Sequence, residues 1–171
     1  QAARYLEKLT DGVIVSHELR IFGKGESEVE AALHEPMTRL SNPTLAPYAK
    51  TNECLVRATA KAETREKAEE MLRPLMDEVK EILGDVVYGV DVNSIEEVVS
   101  GLLRERGLTL SAAESCTGGL IAKRMTDLAG ASQVFRGGVV SYTNDVMAGV
   151  LGVDRALLEE YGAVSEPVAR A

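Results

Sequence analysis

The sequence has few of the residues from which metal sites are built, and it has no long apolar run. Its 171 residues include two cysteines and two histidines, none of them close to another, so no metal-ligand spacing exists. No apolar stretch approaches the roughly 18 residues that a membrane span needs, and no signal peptide is visible. We therefore expect a cytoplasmic protein with reduced thiols, no metal, no cofactor and no membrane partner.

Basic residues are also scarce. The chain has 19 Lys and Arg residues against 27 Asp and Glu residues, which gives a formal net charge of -8. Its longest basic cluster is the pair Lys123-Arg124. Because nucleic-acid backbones are held largely by clustered positive charge, we expect no nucleic-acid partner.

The two ends of the sequence predict a piece of a longer polypeptide. The chain lacks an initiator Met and begins inside a predicted helix over residues 2–9. It stops inside another predicted helix, which Ser165-Glu166-Pro167 opens. We expect residues 1–10 to be the tail of a preceding domain and the last domain to be incomplete.

Residues 11–93 predict a first module in which strands alternate with helices. Strands are predicted over 13–21, 54–62 and 86–90, with a short one near Ala46. Helices are predicted over 28–40 and 64–83. Pro36 is expected to kink or split the first helix, and Pro74 to bend the second. This order predicts a small split α/β sandwich.

Residues 94–171 predict a second module of the α/β class, with a parallel sheet and crossover helices. Its strands are predicted over 108–113 and 138–142, and its helices over 94–106, from Gly119 onward, and over 144–151 and 154–161. Because this module is expected to be cut short, at least one apolar face of its sheet should lack cover. An uncovered apolar face predicts a homo-oligomer.

A polar, glycine-rich turn follows the first strand of the second module. It comprises residues 114–119, and a helical pattern follows it. The unpaired N–H groups and the dipole of a helix N-terminus attract small anions, so this layout predicts an anionic ligand. We expect Thr117, Gly118 and Gly119 to begin the helix and its N-terminus to face a cleft beside Ser132.

Several motifs, in this order, resemble the CinA family (competence/damage-inducible protein A). They are LRIFGKGESEVE at 19–30, NPTLAPYAK at 42–50, AESCTGG at 113–119, GGVVSYTND at 137–145 and GAVSEP at 162–167. The first two resemble the linker region of the family, and the other three resemble its C-terminal domain. The resemblance implies a KH-like module over residues 11–93, in shape rather than in RNA binding, followed by an incomplete C-terminal domain.

The resemblance also implies an activity and a set of site residues. Family members hydrolyse the carboxamide of nicotinamide mononucleotide to nicotinate mononucleotide and ammonia. Catalysis would then fall to Ser132 as nucleophile and to Tyr142 as hydrogen-bond donor or proton relay. Substrate binding would fall to Glu114, Ser115, Thr117, Gly118, Gly119 and Asn144.

Each of these residues also has a plain structural interpretation. Ser132 could form an ST-turn or cap a short helix, and Tyr142 could simply pack. Thr117 could cap a helix, and Glu114 could be a solvated carboxylate. Cys116 lies in the same motif, but no histidine follows in a pattern that would activate it.

Met147 departs from the family pattern. The family continues Tyr-Ser/Thr-Asn-x-x-Lys, and Met147 stands where this lysine is expected. A Ser–Lys mechanism needs the amine of this lysine to activate the serine. A glycine-rich TGxAGP-like loop of the family is also absent from the sequence. The alternative to an amidase is therefore a non-catalytic nucleotide-binding or assembly domain. Under the first hypothesis the longer parent protein is the enzyme and this chain alone is inactive.

Overall fold

The computed structural model describes residues 12–50 and 53–171, so the helix predicted over 2–9 and the predicted domain tail over 1–10 lie outside the described residues. The chain divides into two compact units, Gln1–Ile95 and Glu96–Ala171. The junction predicted between residues 93 and 94 falls just before this division. Both units mix helices and strands, which confirms the α/β class.

The first unit is a four-stranded sheet with its helices packed on one face. Its elements are β1 Val13–Ile21, α1 Glu26–Ala32, α2 His34–Arg39, β2 Thr44–Lys50, β3 Glu53–Ala62, α3 Arg65–Leu83 and β4 Val87–Val90. The strand order is β2-β3-β1-β4, and each neighbouring pair is antiparallel. The two longest strands, β1 and β3, pair from Val13 with Ala62 to Ile21 with Cys54 and form the centre of the sheet.

The core of this unit lies between the sheet and α3. The buried residues of α3 recur at helical spacing: Ala68, Leu72, Leu75, Val79 and Leu83. They pack against alternate residues of β1, including Val15 and Leu19. The Thr64 hydroxyl accepts a hydrogen bond from the Lys67 N–H and caps the helix. The helix continues unbroken across Pro74.

The structure confirms two local predictions for this unit, a split in the first helix and a strand at Ala46, and it gives their bounds. The helix predicted over 28–40 is two helices that meet at Leu33, and Pro36 lies in the first turn of α2, where its missing N–H costs no helical hydrogen bond. The short strand predicted near Ala46 is the seven-residue β2. Pro47 is tolerated there because β2 is an edge strand.

The second unit contains a two-stranded parallel sheet surrounded by short helices. Its elements are α4 Ile95–Glu105, β5 Leu110–Glu114, α5 Leu120–Thr126, β6 Phe135–Val140, α6 Asn144–Val146, α7 Arg155–Tyr161 and α8 Glu166–Arg170. The two strands pair in parallel from Leu110 with Phe135 to Glu114 with Val140. Large apolar side chains such as Leu120 and Val140 are about half exposed. The homo-oligomer remains a prediction.

A π-helical turn over Met147–Leu151 directly continues α6. It belongs to a small apolar cluster of Met147, Val153, Leu158 and Val168. Among residues 12–50 and 53–171, no helix combines the length and apolarity that a bilayer crossing requires.

A buried arginine holds the segment that leaves the first unit. Arg20 is 7% exposed and forms an ion pair with Glu53. Its Nε donates to the carbonyl oxygen of Val92 at 3.1 Å, and its Nη2 donates to that of Asn93 at 3.1 Å. A guanidinium suits this position because it stays charged and can serve several acceptors at once.

We predict that Arg20→Met lowers the free energy of unfolding of the first unit by about 3 kcal/mol, because it leaves the Glu53 carboxylate without its cation. Hydrogen exchange of the β1 and β3 amides would report this unit separately from the second. The matched control is Arg39→Met, which breaks a largely exposed pair with Glu78 and should cost less than about 1 kcal/mol. Equal costs for both variants would contradict the prediction.

Candidate active site

The parallel pairing of β5 and β6 brings two predicted site segments to the same edge of the sheet. The carbonyl oxygen of Glu114, the last residue of β5, accepts the Ser141 N–H at 2.7 Å and the Ser141 hydroxyl at 3.3 Å. The turn over 115–119 and the segment over 142–144 therefore begin beside each other. In parallel sheets this carboxyl edge is where ligands usually bind.

Glu114 turns inward at this edge and is 3% exposed. Its Oε2 accepts the N–H of Ile121 at 2.9 Å, and its Oε1 accepts the N–H of Ala122 at 2.8 Å. Both donors lie in the first turn of α5. The interpretation of Glu114 as a solvated carboxylate is therefore wrong, and its two oxygens serve the protein backbone rather than an open surface.

The surroundings of Glu114 keep it ionised. Burial is the largest single effect and raises the pKa of the carboxyl group, but the hydrogen bonds that it accepts, led by those from the N–H groups of Ala122 and Ile121, together lower the pKa by more. The Thr117 hydroxyl and the Gly119 N–H also lower it. Because the net shift is downward, the contribution of Glu114 to stability is present above its ordinary pKa. It is lost as the pH falls through the lowered value.

The N–H groups at the start of α5, which were expected to bind an anionic ligand, are bonded within the protein instead. Two N–H groups of α5 are bonded to the Glu114 carboxylate, and the N–H of Leu120 donates to the carbonyl oxygen of Thr117 at 3.1 Å. The helix begins at Leu120, after a turn in which the Gly118 N–H donates to the Ser115 carbonyl oxygen. The negative group expected at this N-terminus is thus the protein's own side chain.

Two glycines of the motifs are required by close approach. Gly119 has φ 95°, and a Cβ there would lie 3.1 Å from a methyl carbon of Val140. A Cβ on Gly138 would lie 3.1 Å from the Ala112 carbonyl oxygen and 3.5 Å from the Cβ of Ala122. Gly138 therefore lets α5 lie close against the strands. The sequence interpretation did not predict that Gly138 is needed for this close packing, although its position in the GGVVSYTND motif indicated that the residue was of interest.

The remaining polar side chains of the predicted site also follow the carboxyl ends of the strands. Ser115 is half-buried, whereas Thr117 is exposed and Tyr142 is 71% exposed. Asn144 is the first residue of α6, which the hydroxyl of Thr143 caps by accepting the Val146 N–H at 3.4 Å. Hydroxyl, phenol and amide groups are therefore available together at this edge.

Ser132 lies at the other end of the sheet. It belongs to a 3-10 turn, Ala131–Gln133, that precedes β6. The carbonyl oxygen of Val134 accepts the N–H of Leu110 at 2.7 Å, where both strands begin. A six-residue strand spans roughly 20 Å, so the expected cleft between Ser132 and the start of α5 is wrong. The cause is α5 itself, which carries the chain back to the amino edge.

Met147 is a core residue. Its side chain is 3% exposed and packs with Val153, Leu158 and Val168. Its N–H donates to the carbonyl oxygen of Thr143 at 3.0 Å. The residue that stands at the family's lysine position thus fills an apolar cluster in this chain.

Comparison with known proteins identifies the relationship. A profile of the CinA C-terminal domain matches residues 92–171, and a profile of the damage-inducible protein CinA KH domain matches residues 16–89. The chain belongs to the CinA family. CinA-like proteins of Kosmotoga olearia and Dictyoglomus turgidum are 47% and 45% identical over 165 residues, which is 96% of this chain and 40% of each relative. The chain therefore spans about 40% of the length of these curated relatives.

A solved structure of a competence/damage inducible protein from Agrobacterium tumefaciens is also similar in sequence. It is 44% identical, and the match covers 44% of this chain and 46% of that one, with a TM-score of 0.43. A competence-damaged (CinA) superfamily protein from Escherichia coli is 35% identical over 43% of each chain, also with a TM-score of 0.43.

We predict that Glu114→Gln loosens the start of α5. A glutamine amide presents an NH₂ group to one of the two N–H donors, so one hydrogen bond is lost and two donors face each other. Hydrogen-exchange protection of the Ile121 and Ala122 amides should fall by about tenfold or more. The control is Glu159→Gln on the exposed surface of α7. Unchanged protection in Glu114→Gln would show that the carboxylate does not hold the helix.

Met147→Lys is predicted to destabilise the second unit by about 3 kcal/mol, because an ammonium group replaces a thioether inside an apolar cluster. Met147→Leu, which keeps the volume and polarity, should cost less than about 1.5 kcal/mol. Thermal unfolding of both variants would measure the difference. If lysine costs no more than leucine, position 147 can turn its side chain to solvent, and a lysine site there becomes tenable again.

Proposed function

We propose that the carboxyl edge of β5 and β6 binds nicotinamide mononucleotide and that the full-length protein hydrolyses its carboxamide to nicotinate mononucleotide and ammonia. The observation that carries this proposal is the convergence of the AESCTGG and GGVVSYTND motifs at one edge of a parallel strand pair. Amide hydrolysis needs a nucleophile, a proton relay and donors to the developing oxyanion. Side chains of these types follow both strands.

Within this edge we assign the nucleophile to Ser115. It is the first residue after β5, it is half-buried, and Glu114 fixes the backbone before it. Tyr142 follows β6 and supplies a phenol for hydrogen bonding or proton relay. Thr117 and Asn144 are the polar side chains available to orient the nucleotide. Ser132 could act only in a different site at the amino edge.

The proton acceptor limits what this chain does alone. Residues 113–119 and 137–147 include no histidine and no lysine. The carboxylate of Asp145 is paired with Arg155 at 2.9 Å. We therefore assign the general base to a part of the protein outside these two segments and keep Tyr142 as a hydrogen-bond donor or proton relay. On this proposal the chain by itself binds the nucleotide but hydrolyses it slowly, because these two segments supply no general base.

The decisive experiment compares two serine variants in the full-length protein that carries this sequence. Ammonia released from nicotinamide mononucleotide is measured for Ser115→Ala and for Ser132→Ala. We expect Ser115→Ala to lower kcat on the order of a thousandfold or more, as removal of a nucleophile does, and Ser132→Ala to change it by less than about threefold. The reverse pattern would contradict the assignment and place the chemistry at the amino edge.

A second candidate function is nucleotide binding without hydrolysis. The buried position of Met147 favours it, because no amine is available there to activate a serine. Calorimetric titration of the protein with nicotinamide mononucleotide, together with the ammonia assay, separates the two candidates. Saturable binding without ammonia from the full-length protein would establish the second function and exclude the first.

A further inference from the structure

A histidine between two carboxylates joins three segments of the first unit. His17 lies in β1, and its Nε2 is 2.7 Å from Oε2 of Glu69 on α3. Its Nδ1 forms a hydrogen bond with Oδ2 of Asp91, which follows β4. The imidazole is partly shielded, with 20% of the side chain exposed. One ring therefore contacts a helix and a connecting segment at the same time.

Only the charged form of His17 can make both contacts. A neutral imidazole carries one N–H, whereas the imidazolium carries two, and ionised carboxylates accept but do not donate. The hydrogen bond to Asp91 contributes most to raising the pKa of His17, and the bond to Glu69 adds to it against the opposing effect of burial. Loss of the proton therefore breaks one of the two contacts and removes the charge that strengthens the other.

Asp91 has a backbone conformation that is uncommon outside glycine, although Asp adopts it more readily than most residues. Its φ is 53°, in the left-handed region that non-glycine residues seldom occupy. Two further hydrogen bonds hold it against β1: its N–H donates to the Glu18 carbonyl oxygen at 2.8 Å, and its Oδ1 accepts the Glu18 N–H at 2.8 Å. Such a conformation persists only where its surroundings over-determine it, and His17 is part of those surroundings.

The residues after Asp91 are held by a different cation. Arg20 donates to the carbonyl oxygens of Val92 and Asn93, as described above. The segment 91–93 is therefore attached to β1 at two points. The attachment at Arg20 is permanent over the physiological pH range, because a guanidinium does not lose its proton. The attachment at His17 is weakened by deprotonation.

One of the groups around His17 is a second cation for Glu69. On α3, Arg65 lies 3.7 Å from the Glu69 carboxylate and can hold that carboxylate when His17 is neutral. The residue paired with His17 on β3 is Ala58, and β4 pairs Val90 with Leu19, so neither neighbour is charged. Glu18 is paired with Arg57 and alternates with His17 onto the other face of the sheet.

We propose that His17 is a pH-sensitive latch: when protonated it fastens Asp91, and with it the start of segment 91–93, to β1, and when it becomes neutral this attachment weakens. This segment continues the chain from the last strand of the first unit toward the second unit. Arg20 keeps Val92 and Asn93 attached in both states, so the weakening is confined to Asp91.

The direction of the pH dependence follows from the raised pKa of His17. The latch is fully closed below the ordinary histidine pKa of about 6.5, and it opens as the pH rises through the higher folded value. Rising pH therefore weakens the attachment, which is the opposite of the effect at Glu114.

The test measures hydrogen exchange of the Asp91 amide as a function of pH, normalised to intrinsic exchange, with NMR titration of the histidine rings in the same samples. We expect protection of the Asp91 amide to fall by about tenfold or more as His17 loses its proton. Amides in the β1–β3 ladder should keep their protection, which separates latch opening from unfolding. Protection at Asp91 that stays constant while the His17 ring titrates would overturn the proposal.

Two variants sharpen the test. His17→Gln cannot become charged, so protection at Asp91 should be low and independent of pH. The matched control is His34→Gln, because His34 is the other histidine of the chain and is exposed on α2. If His17→Gln does not fold, Asp91→Asn keeps the acceptor for the Glu18 N–H and removes the charge. The proposal then requires the ring of His17 to titrate at a lower pH in Asp91→Asn, and an unchanged titration would overturn it.

Discussion

The hydrogen bonds between the buried Glu114 carboxylate and the first turn of α5 are the interaction on which the candidate site depends. Glu114 ends β5, its side chain holds the N–H groups of Ile121 and Ala122, and its backbone carbonyl receives both donors of Ser141. One residue thereby fixes a strand end, a helix start and the end of the neighbouring strand. The side chains that follow both strands project from a base that this carboxylate holds in place.

The same carboxylate limits where a nucleotide phosphate can lie. A helix N-terminus carries roughly half a positive charge, and an ionised Glu114 at that point more than offsets it. A phosphate placed at the start of α5 would therefore meet repulsion from Glu114 rather than attraction from the helix. Under the proposed function, binding at this edge would rely on groups such as the Asn144 amide and the Tyr142 phenol, and the phosphate would lie away from α5.

The sequence predicted those features of the fold that depend on local patterns. The alternating, branched residues of 13–21 predicted the bounds of β1. The helical spacing of apolar residues and the cap at Thr64 predicted the length of α3. The position of Ser132 was not predictable in this way, because it depends on α5 returning the chain to the amino edge. The burial of Met147 was equally hidden, since its neighbours Val153 and Leu158 reach it only through the fold.

The two units use buried charge for a related purpose. In the first unit Arg20 holds the backbone and His17 holds the Asp91 side chain just beyond β4, and in the second unit Glu114 holds the backbone just beyond its own strand. In each case regular strand pairing has ended, and backbone donors or acceptors would otherwise lack protein partners. A cation suits the first position because carbonyl oxygens and carboxylates need donors there. A carboxylate suits the second because helix N–H groups need an acceptor, and this difference in polarity explains why rising pH weakens one attachment while falling pH weakens the other.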